Sequence, residues 1–361
     1  KKFSMIIPSY NGLLLLLIIA SGAIGWGIAM LFHQQDLFYK ILFASSFVIL
    51  CAVWYTSNLL SGLKAYRMLL FVFFIGYGLT ILLDYFLRAY FLDGLMLGFF
   101  IGQFVLLFGM MITLYQYYPS HHFISFDFLK KGRTLFSLVF VSIFYNLGIW
   151  VDKFIFWYAP FTSHHVIGPL RASMIYDVPI FLAYITIIPG MAIFLFRMET
   201  DFVEYYQQYY TAIEKGDTLF NIMHARYQLT DVSQKGLIDI ARFEWITIFI
   251  VFALGPQILS WLRISKHFIY LLNIDVVGTS LLVLFLALMN ILFYFARCKE
   301  ALLLSILFFV LNLGFTLLTL HLGVFYFGYG FVMALLIVDI IAAILLDRDF
   351  NNLEYKTFMN Y

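Results

Sequence analysis

The sequence predicts an all-α polytopic membrane protein, and three observations carry that expectation. Hydrophobic residues make up 63% of the 361-residue chain and charged residues only 12%, well outside the balance of a soluble globular domain. Apolar runs of about 20 residues, the length that crosses a bilayer as a helix, recur from one end to the other. Lysine and arginine then gather in alternate loops, sixteen on one side against five (Lys40, Arg88, Arg171, Arg263 and Lys266) on the other, with Lys153 left inside a span. That asymmetry predicts both termini on the cytoplasmic side.

About ten spanning helices follow from the spacing of these runs. The first four lie near 11–32, 38–60, 68–87 and 94–115, and form an N-terminal group within 1–115. Lys1-Lys2 followed by Leu13–Ala20 superficially resembles a signal peptide, but the apolar run continues through Leu31, which favours a retained helix. Gly22, Gly25, Gly27, Gly76 and Gly78 suit close helix packing. Asp84 and Arg88, four residues apart, read as a local ion pair. The next two spans, 134–157 and 174–197, form a central charged hairpin. An extramembrane segment, 198–243, precedes four further spans near 244–263, 276–296, 301–321 and 325–346, within a C-terminal group at 244–361. Lys266–Asp275 reads as a short outer helix or loop. Gln103, Asn290 and Asn312 are mid-helix amides suited to interhelical hydrogen bonds. Pro189-Gly190 and Gly255-Pro256 are hinge candidates.

The central hairpin crowds together Asn146, Asp152, Lys153, Asp177, Pro179 and Pro189. A charge at mid-membrane costs roughly 3 kcal/mol on insertion scales, so such residues face a bundle interior or water. Asp152 and Lys153 sit about one helical turn from the hairpin's outer end, and Asp177 sits at equal depth on the returning helix. Equal depth predicts a Lys153–Asp177 pair, with Arg171 as a competitor near the rim. Asn146, Trp150, Lys153 and Trp157 follow i, i+4, i+7, i+11 and share a helix face. A stripe of amide, indole and ammonium suits a sugar chain; the alternative is an aromatic belt with a snorkelling lysine. Asp339, inside the last span, is either a lumen charge or a neutral acid.

In 198–243, Phe202, Tyr205, Tyr206, Tyr209 and Ile213 recur at helical spacing and make one aromatic face. Two readings stand: an amphipathic hairpin that lies on the membrane or covers the bundle's inner end, and a docking platform for a cytoplasmic partner. Glu214-Lys215-Gly216 reads as a helix stop, with Asp217 capping the next helix.

The motifs that would carry other chemistry are missing. The sequence has no G-x-x-x-x-G-K-[ST] loop, dinucleotide fingerprint, H-E-x-x-H or nucleophile elbow. Cys51 and Cys298 form no C-x-x-C, and His121-His122 and His164-His165 fall in loops on opposite sides, so neither metal nor cofactor is expected. A net charge of +2 gives no reason to expect nucleic-acid binding. Transport by conformational change fits better than catalysis.

The strings NLGIWVDKFIFW (Asn146–Trp157), GPLRAS (Gly168–Ser173), YD-x-PIFLAY (Tyr176–Tyr184), PGMA (Pro189–Ala192), ETDF (Glu199–Phe202), LSGLKAY (Leu60–Tyr66), DVVG (Asp275–Gly278) and LEYKTFM (Leu353–Met359) resemble the PelG family over essentially the whole chain. That resemblance implies the inner-membrane transport component of the bacterial Pel exopolysaccharide system, in the flippase superfamily of polysaccharide and multidrug exporters. It implies a MOP/MATE-like twelve-helix fold of two bundles around a central cavity, with roughly two more helices at the start than are counted here. The implied partners are a cytoplasmic glycosyltransferase and membrane scaffold subunits, one sensing cyclic-di-GMP, and the implied substrate is a growing, amino-sugar-rich polymer in a lipid bilayer. Three functions are therefore expected in turn. The first is a polysaccharide exporter whose cavity is lined by Trp150, Asp152, Lys153, Asp177 and Tyr184, driven by chain growth or by an ion gradient through Asp177 or Asp339. The second is a scaffold that holds the transferase through 198–243. The third is an ion-coupled flippase of lipid-linked or amphipathic substrates.

Overall fold

A computed structural model of the chain describes residues 6–63, 65–120, 122–127 and 136–359. Lys1, Lys2, Lys64, Lys130, Lys131 and Arg133, counted above for orientation, lie outside them, as do His121 and the first residues of the span expected at 134–157. The helices fall into two compact units, Lys1–Thr134 with His165–Leu170, and Leu135–His164 with Arg171–Tyr361.

The first unit holds α1 (Ile6–Met30), α2 (Leu37–Gly62), α3 (Tyr66–Leu87) and α4 (Phe91–Tyr117). Each is apolar around its circumference, as lipid-facing helices are, so packing rather than amphipathicity sets its partners. α3 and α4 reverse through a tight turn at Arg88–Tyr90, with Phe91 at φ 51°. Asp84 does not pair with Arg88. Its carboxylate turns onto Gly98 of α4, where no side chain intervenes, while the Arg88 guanidinium stacks 4.5 Å over the Tyr85 ring. At the other end, Asn11 of α1 donates to Phe123 O (2.7 Å) and accepts from the Tyr115 hydroxyl (2.7 Å).

The second unit begins with α5 (Phe136–Tyr158); the short hairpin after it in the chain, β1 (His164–Ile167) and β2 (Leu170–Ala172), falls mostly in the first unit. The returning segment is broken: α6 (Met174–Thr186) stops at Ile187 and α7 (Ile188–Phe196) restarts with Pro189 in its first turn. Proline has no N–H to give the preceding turn, so a continuous helix is interrupted there. A π-helical turn, Arg197–Phe202, leads into α8 (Val203–Glu214). Gly216 at φ +67° closes α8, and the next helix is capped by Thr218, whose hydroxyl accepts from Asn221 N–H, rather than by Asp217. Asp217 instead accepts from Asn221 Nδ2 and Thr218 N–H, which hold its carboxyl below the usual range.

α9 (Leu219–Trp261) is a single helix of 43 residues. The expected extramembrane segment and the span expected from 244 lie on this one continuous helix, because Arg242, Phe243 and Glu244 offer no break. α10 (Ile269–Tyr294) starts seven residues before its expected beginning, which brings Asp275 inside the helix. α11 (Cys298–Leu322), α12 (Tyr329–Asn351) and α13 (Leu353–Met359) complete the unit. α10 is its axis: 67% of its membrane-length window is buried, against 28–44% for the other such segments of this unit. Among the described residues, eight segments are long and apolar enough to cross a membrane, and one of them, Tyr66–Tyr117, contains both α3 and α4.

α5 and α11 approach closely at Gly148, where a Cβ would overlap the buried Phe308 ring, and Asn312 Nδ2 donates to the buried Gly148 carbonyl (2.8 Å). Gly148→Val should cost about 1–3 kcal/mol through overpacking, seen as a lower unfolding midpoint in detergent. Gly78→Ala, where nothing lies within 4 Å, should cost nothing; equal losses at both positions would contradict this packing.

Candidate functional site

α5 turns two consecutive charged residues into the second unit. Asp152 is fully buried and Lys153 is 4% exposed. An ammonium has three N–H donors and no acceptor, and each Lys153 donor has somewhere to go. Nζ donates to Asp152 (3.1 and 3.2 Å), to the carbonyl of Ile149 one turn back (2.8 Å) and to the Tyr184 hydroxyl (3.1 Å). The rings of Phe331 and Tyr184 lie 5.0 and 5.1 Å from Nζ, close enough for cation–π attraction. Asp152 also accepts from the Tyr176 hydroxyl. Tyr176 is held in place by stacking on Phe156, with ring centroids 4.1 Å apart.

α10 adds Asp275, fully buried and within electrostatic reach of Lys153 and Asp152. Neither of its oxygens has a hydrogen-bond partner among the described residues, and one packs against Gly328, whose φ of +84° suits the turn before α12. The cluster thus sets one ammonium against two carboxylates. Sequence reasoning missed Asp275 and Tyr176. The apolar run Ile269–Ile274 ahead of Asp275 was the available signal for extending the helix over it.

Asp177 is not Lys153's partner. Both its oxygens accept from the Trp157 indole (2.8 and 2.9 Å), and it also accepts from the Ser173 N–H at the start of α6 (2.8 Å). Equal depth was a sound criterion, but Asp152, next to Lys153 in the chain, was nearer. Arg171 competes for neither carboxylate; it is exposed and donates to Ser163 Oγ (3.1 Å). The expected stripe divides by side-chain length. Lys153 shares its backbone face with Asn146, Trp150 and Trp157, but its flexible stem carries the ammonium into the core. Asp152 and Lys153 therefore line no open passage within this unit, and Tyr184 joins them there.

Asn146, Trp150 and Trp157 remain outside. With Phe154 they line an open recess of ≈ 480 Å³ on α5. Trp150 is 45% exposed, its ring centroid is 6.2 Å from that of Trp157, and Phe154 meets Trp157 edge-on at 5.3 Å. Asn146 donates to Ser142 O of its own helix (2.8 Å).

Asp339 stands apart from the Lys153 network. It is 9% exposed, and both oxygens lack a hydrogen-bond partner among the described residues. The aromatic face of α8 is spent on the protein itself. Phe202 and Tyr209 are fully buried, Tyr206 donates to Tyr294 O (3.0 Å), and Tyr205 packs half-buried on the same core. This face covers the end of the second unit, so it is not free to serve as a docking platform.

Breaking a buried pair by removing one partner is far worse than removing both. Lys153→Met should destabilise the protein by about 3–5 kcal/mol, and adding Asp152→Asn should restore most of that loss. Thermal unfolding of the purified variants measures both. Additive losses in the double variant would show that the two side chains are not paired.

Residues 1–358 match the family model described as "PelG: Putative exopolysaccharide Exporter (EPS-E)". No curated protein matches the sequence. Among solved structures, an inward-facing multidrug resistance MATE family transporter of the MOP superfamily aligns with a TM-score of 0.65 at 13% identity, over 95% of this chain and 80% of that one. Its outward-facing counterpart aligns with a TM-score of 0.61 at 13% identity, over 96% and 79%. A MOP superfamily transporter from Pyrococcus furiosus gives 0.62 at 12% identity, over 96% and 79%. At these identities the likeness shows the fold alone, the multi-helix fold of MOP-type transporters. With its family model spanning nearly the whole sequence, the chain belongs to the PelG family of exopolysaccharide exporters.

Proposed function

We propose that the protein exports a Pel-type, amino-sugar-rich polysaccharide across the bacterial inner membrane, with both termini cytoplasmic, and that the polymer contacts the open face of α5. One observation carries this reading: the Trp157 indole is fixed by Asp177 beside Trp150 and Asn146 over an open recess. Pyranose rings present apolar faces to indoles and hydroxyls to amides and carboxylates, and a cationic amino sugar adds attraction to the ring faces. Asp177 contributes by orienting the Trp157 indole. A cytoplasmic glycosyltransferase, held with scaffold subunits and regulated through cyclic-di-GMP, supplies the growing chain and its thrust. Surfaces other than the covered aromatic face of α8 make that contact, which weighs against a scaffold built on Phe202 and Tyr209.

A second reading, an ion-coupled flippase, is favoured by Asp275 and Asp339, two buried carboxylates without hydrogen-bond partners. Proton exchange at either would couple a gradient to movement. The two readings part on one experiment: export that continues after collapse of the proton gradient, with synthesis held constant, fits polymer thrust, and export that stops fits ion coupling.

Trp150→Ala and Trp157→Ala should each lower secreted polymer by about 3- to 30-fold, the equivalent of one lost aromatic–cation contact, while protein level and complex assembly stay unchanged. Secretion measured against cell-retained polymer reads the effect. Wild-type secretion from both variants would remove α5 from the polymer's path.

A further inference from the structure

The break between α6 and α7 faces a buried acid that the reading above does not use. Glu244 lies on α9 and is 2% exposed. Its carboxylate sits in the notch left by Gly190, one residue after Pro189, so closely that a Cβ at Gly190 would overlap Glu244 Oε1. Neither oxygen meets a donor in bonding geometry; the Ser280 hydroxyl of α10 is the polar group beside it. The backbone of the break is better provided for. Thr186 and Thr279 both donate to the Ala183 carbonyl (2.7 and 3.3 Å), which the interruption frees.

Charges that could balance an ionised Glu244 are few among the described residues; on its own helix Arg242, two residues back, is mostly exposed and lies against Asp239 (3.3 Å). α7 carries none. α10 carries Asp275, more than a turn from Ser280 and of the same sign. The π-helical turn carries Arg197, Glu199 and Asp201, about two turns beyond Gly190. Arg197 is already spent on Asp201 and on Asp239 of α9, at 2.6 Å each. A carboxylate in such a place is neutral, or it draws in water or a cation.

The geometry points to Glu244 as a proton-binding site at the α6–α7 break, whose proton controls the bend at Pro189. Carrying the proton, the acid fits the dry notch as it stands. Losing it creates a charge that the notch cannot solvate, and the wall able to yield is the one already interrupted at Ile187. Proton release therefore opens the break to water, and proton uptake closes it. Discontinuous membrane helices recur at coupling-ion sites because irregular backbone is tolerated where it lines a polar cavity. This assignment is independent of the polymer's route along α5, and its test does not involve secretion.

Spin labels at the exposed positions Phe181 and Leu195, one on each side of the break, report the bend in the full chain in lipid nanodiscs. Between about pH 5 and about pH 9, the span over which buried glutamates titrate, the inter-label distance should shift with a single midpoint. Glu244→Gln should hold the acid-form distance throughout, and Asp339→Asn should keep the wild-type response. A pH-independent distance in the wild type, an undiminished shift in Glu244→Gln, or a shift that follows sodium instead of pH would overturn the assignment. A second measurement needs no variant at Glu244. Dicyclohexylcarbodiimide, which reacts with protonated carboxyls in apolar surroundings, should modify Glu244 in the wild type at low pH and progressively less as pH rises. Mass spectrometry showing Glu244 unmodified at every pH would equally overturn it.

Discussion

A lysine and an aspartate adjacent in the chain, both pointed into a membrane bundle, constrain the second unit more than any apolar contact does. Lys153 and Asp152 cannot sit there unless every donor and most acceptors are met, since a half-satisfied buried pair is worse than none. That requirement brings Tyr176 and Tyr184 from α6 against α5 and closes Phe331 of α12 over the ammonium. The pair need not add stability, because the cost of desolvating two charges rivals their attraction. What it specifies is register, since sliding α6 by one residue along α5 would remove both tyrosine hydroxyls from reach.

With Lys153 satisfied by Asp152, Asp177 is free for other work. It closes the first turn of α6 and holds the Trp157 indole at the surface. The inward and outward faces of α5 are thus linked: charge is resolved inside, and aromatic rings and an amide are left outside around an open recess. This division suits an exopolysaccharide exporter. A polymer needs a surface that is sticky to rings and tolerant of hydroxyls, without fixed charges strong enough to halt it. Full exposure of the Lys153 ammonium would have offered the opposite.

Much of the fold was legible because membrane helices obey a length rule that needs no partner information. The apolar runs located α1 to α7 and α10 to α12 to within a few residues at most ends. Continuity was harder to see. Nothing around Arg242–Glu244 marks a boundary or its absence, and α9 runs through it. The start of α10 was misplaced because Lys266–Asp275 was read as a separate short outer helix or loop, whereas Asp275 lies buried inside α10. At the candidate site, spacing identified Asp152, Lys153, Asp177, Tyr184 and the tryptophans as a group, and it could not say who bonds whom. Pairing depends on side-chain reach: a lysine stem passes between faces that helical geometry treats as distinct. The aromatic face of α8 was visible as a periodicity, and only packing showed that it belongs to the protein's own core.

On the proposed route, sugar polymer passes along the exposed stripe of α5. The most direct measurement places a photo-reactive benzophenone amino acid at position 157 in cells making the polymer, with a second at Phe140, an exposed α5 position away from the recess. Illumination should attach polysaccharide to the protein at position 157 and not at 140. Adducts at 157 that contain lipid alone, while secretion continues, would contradict the account.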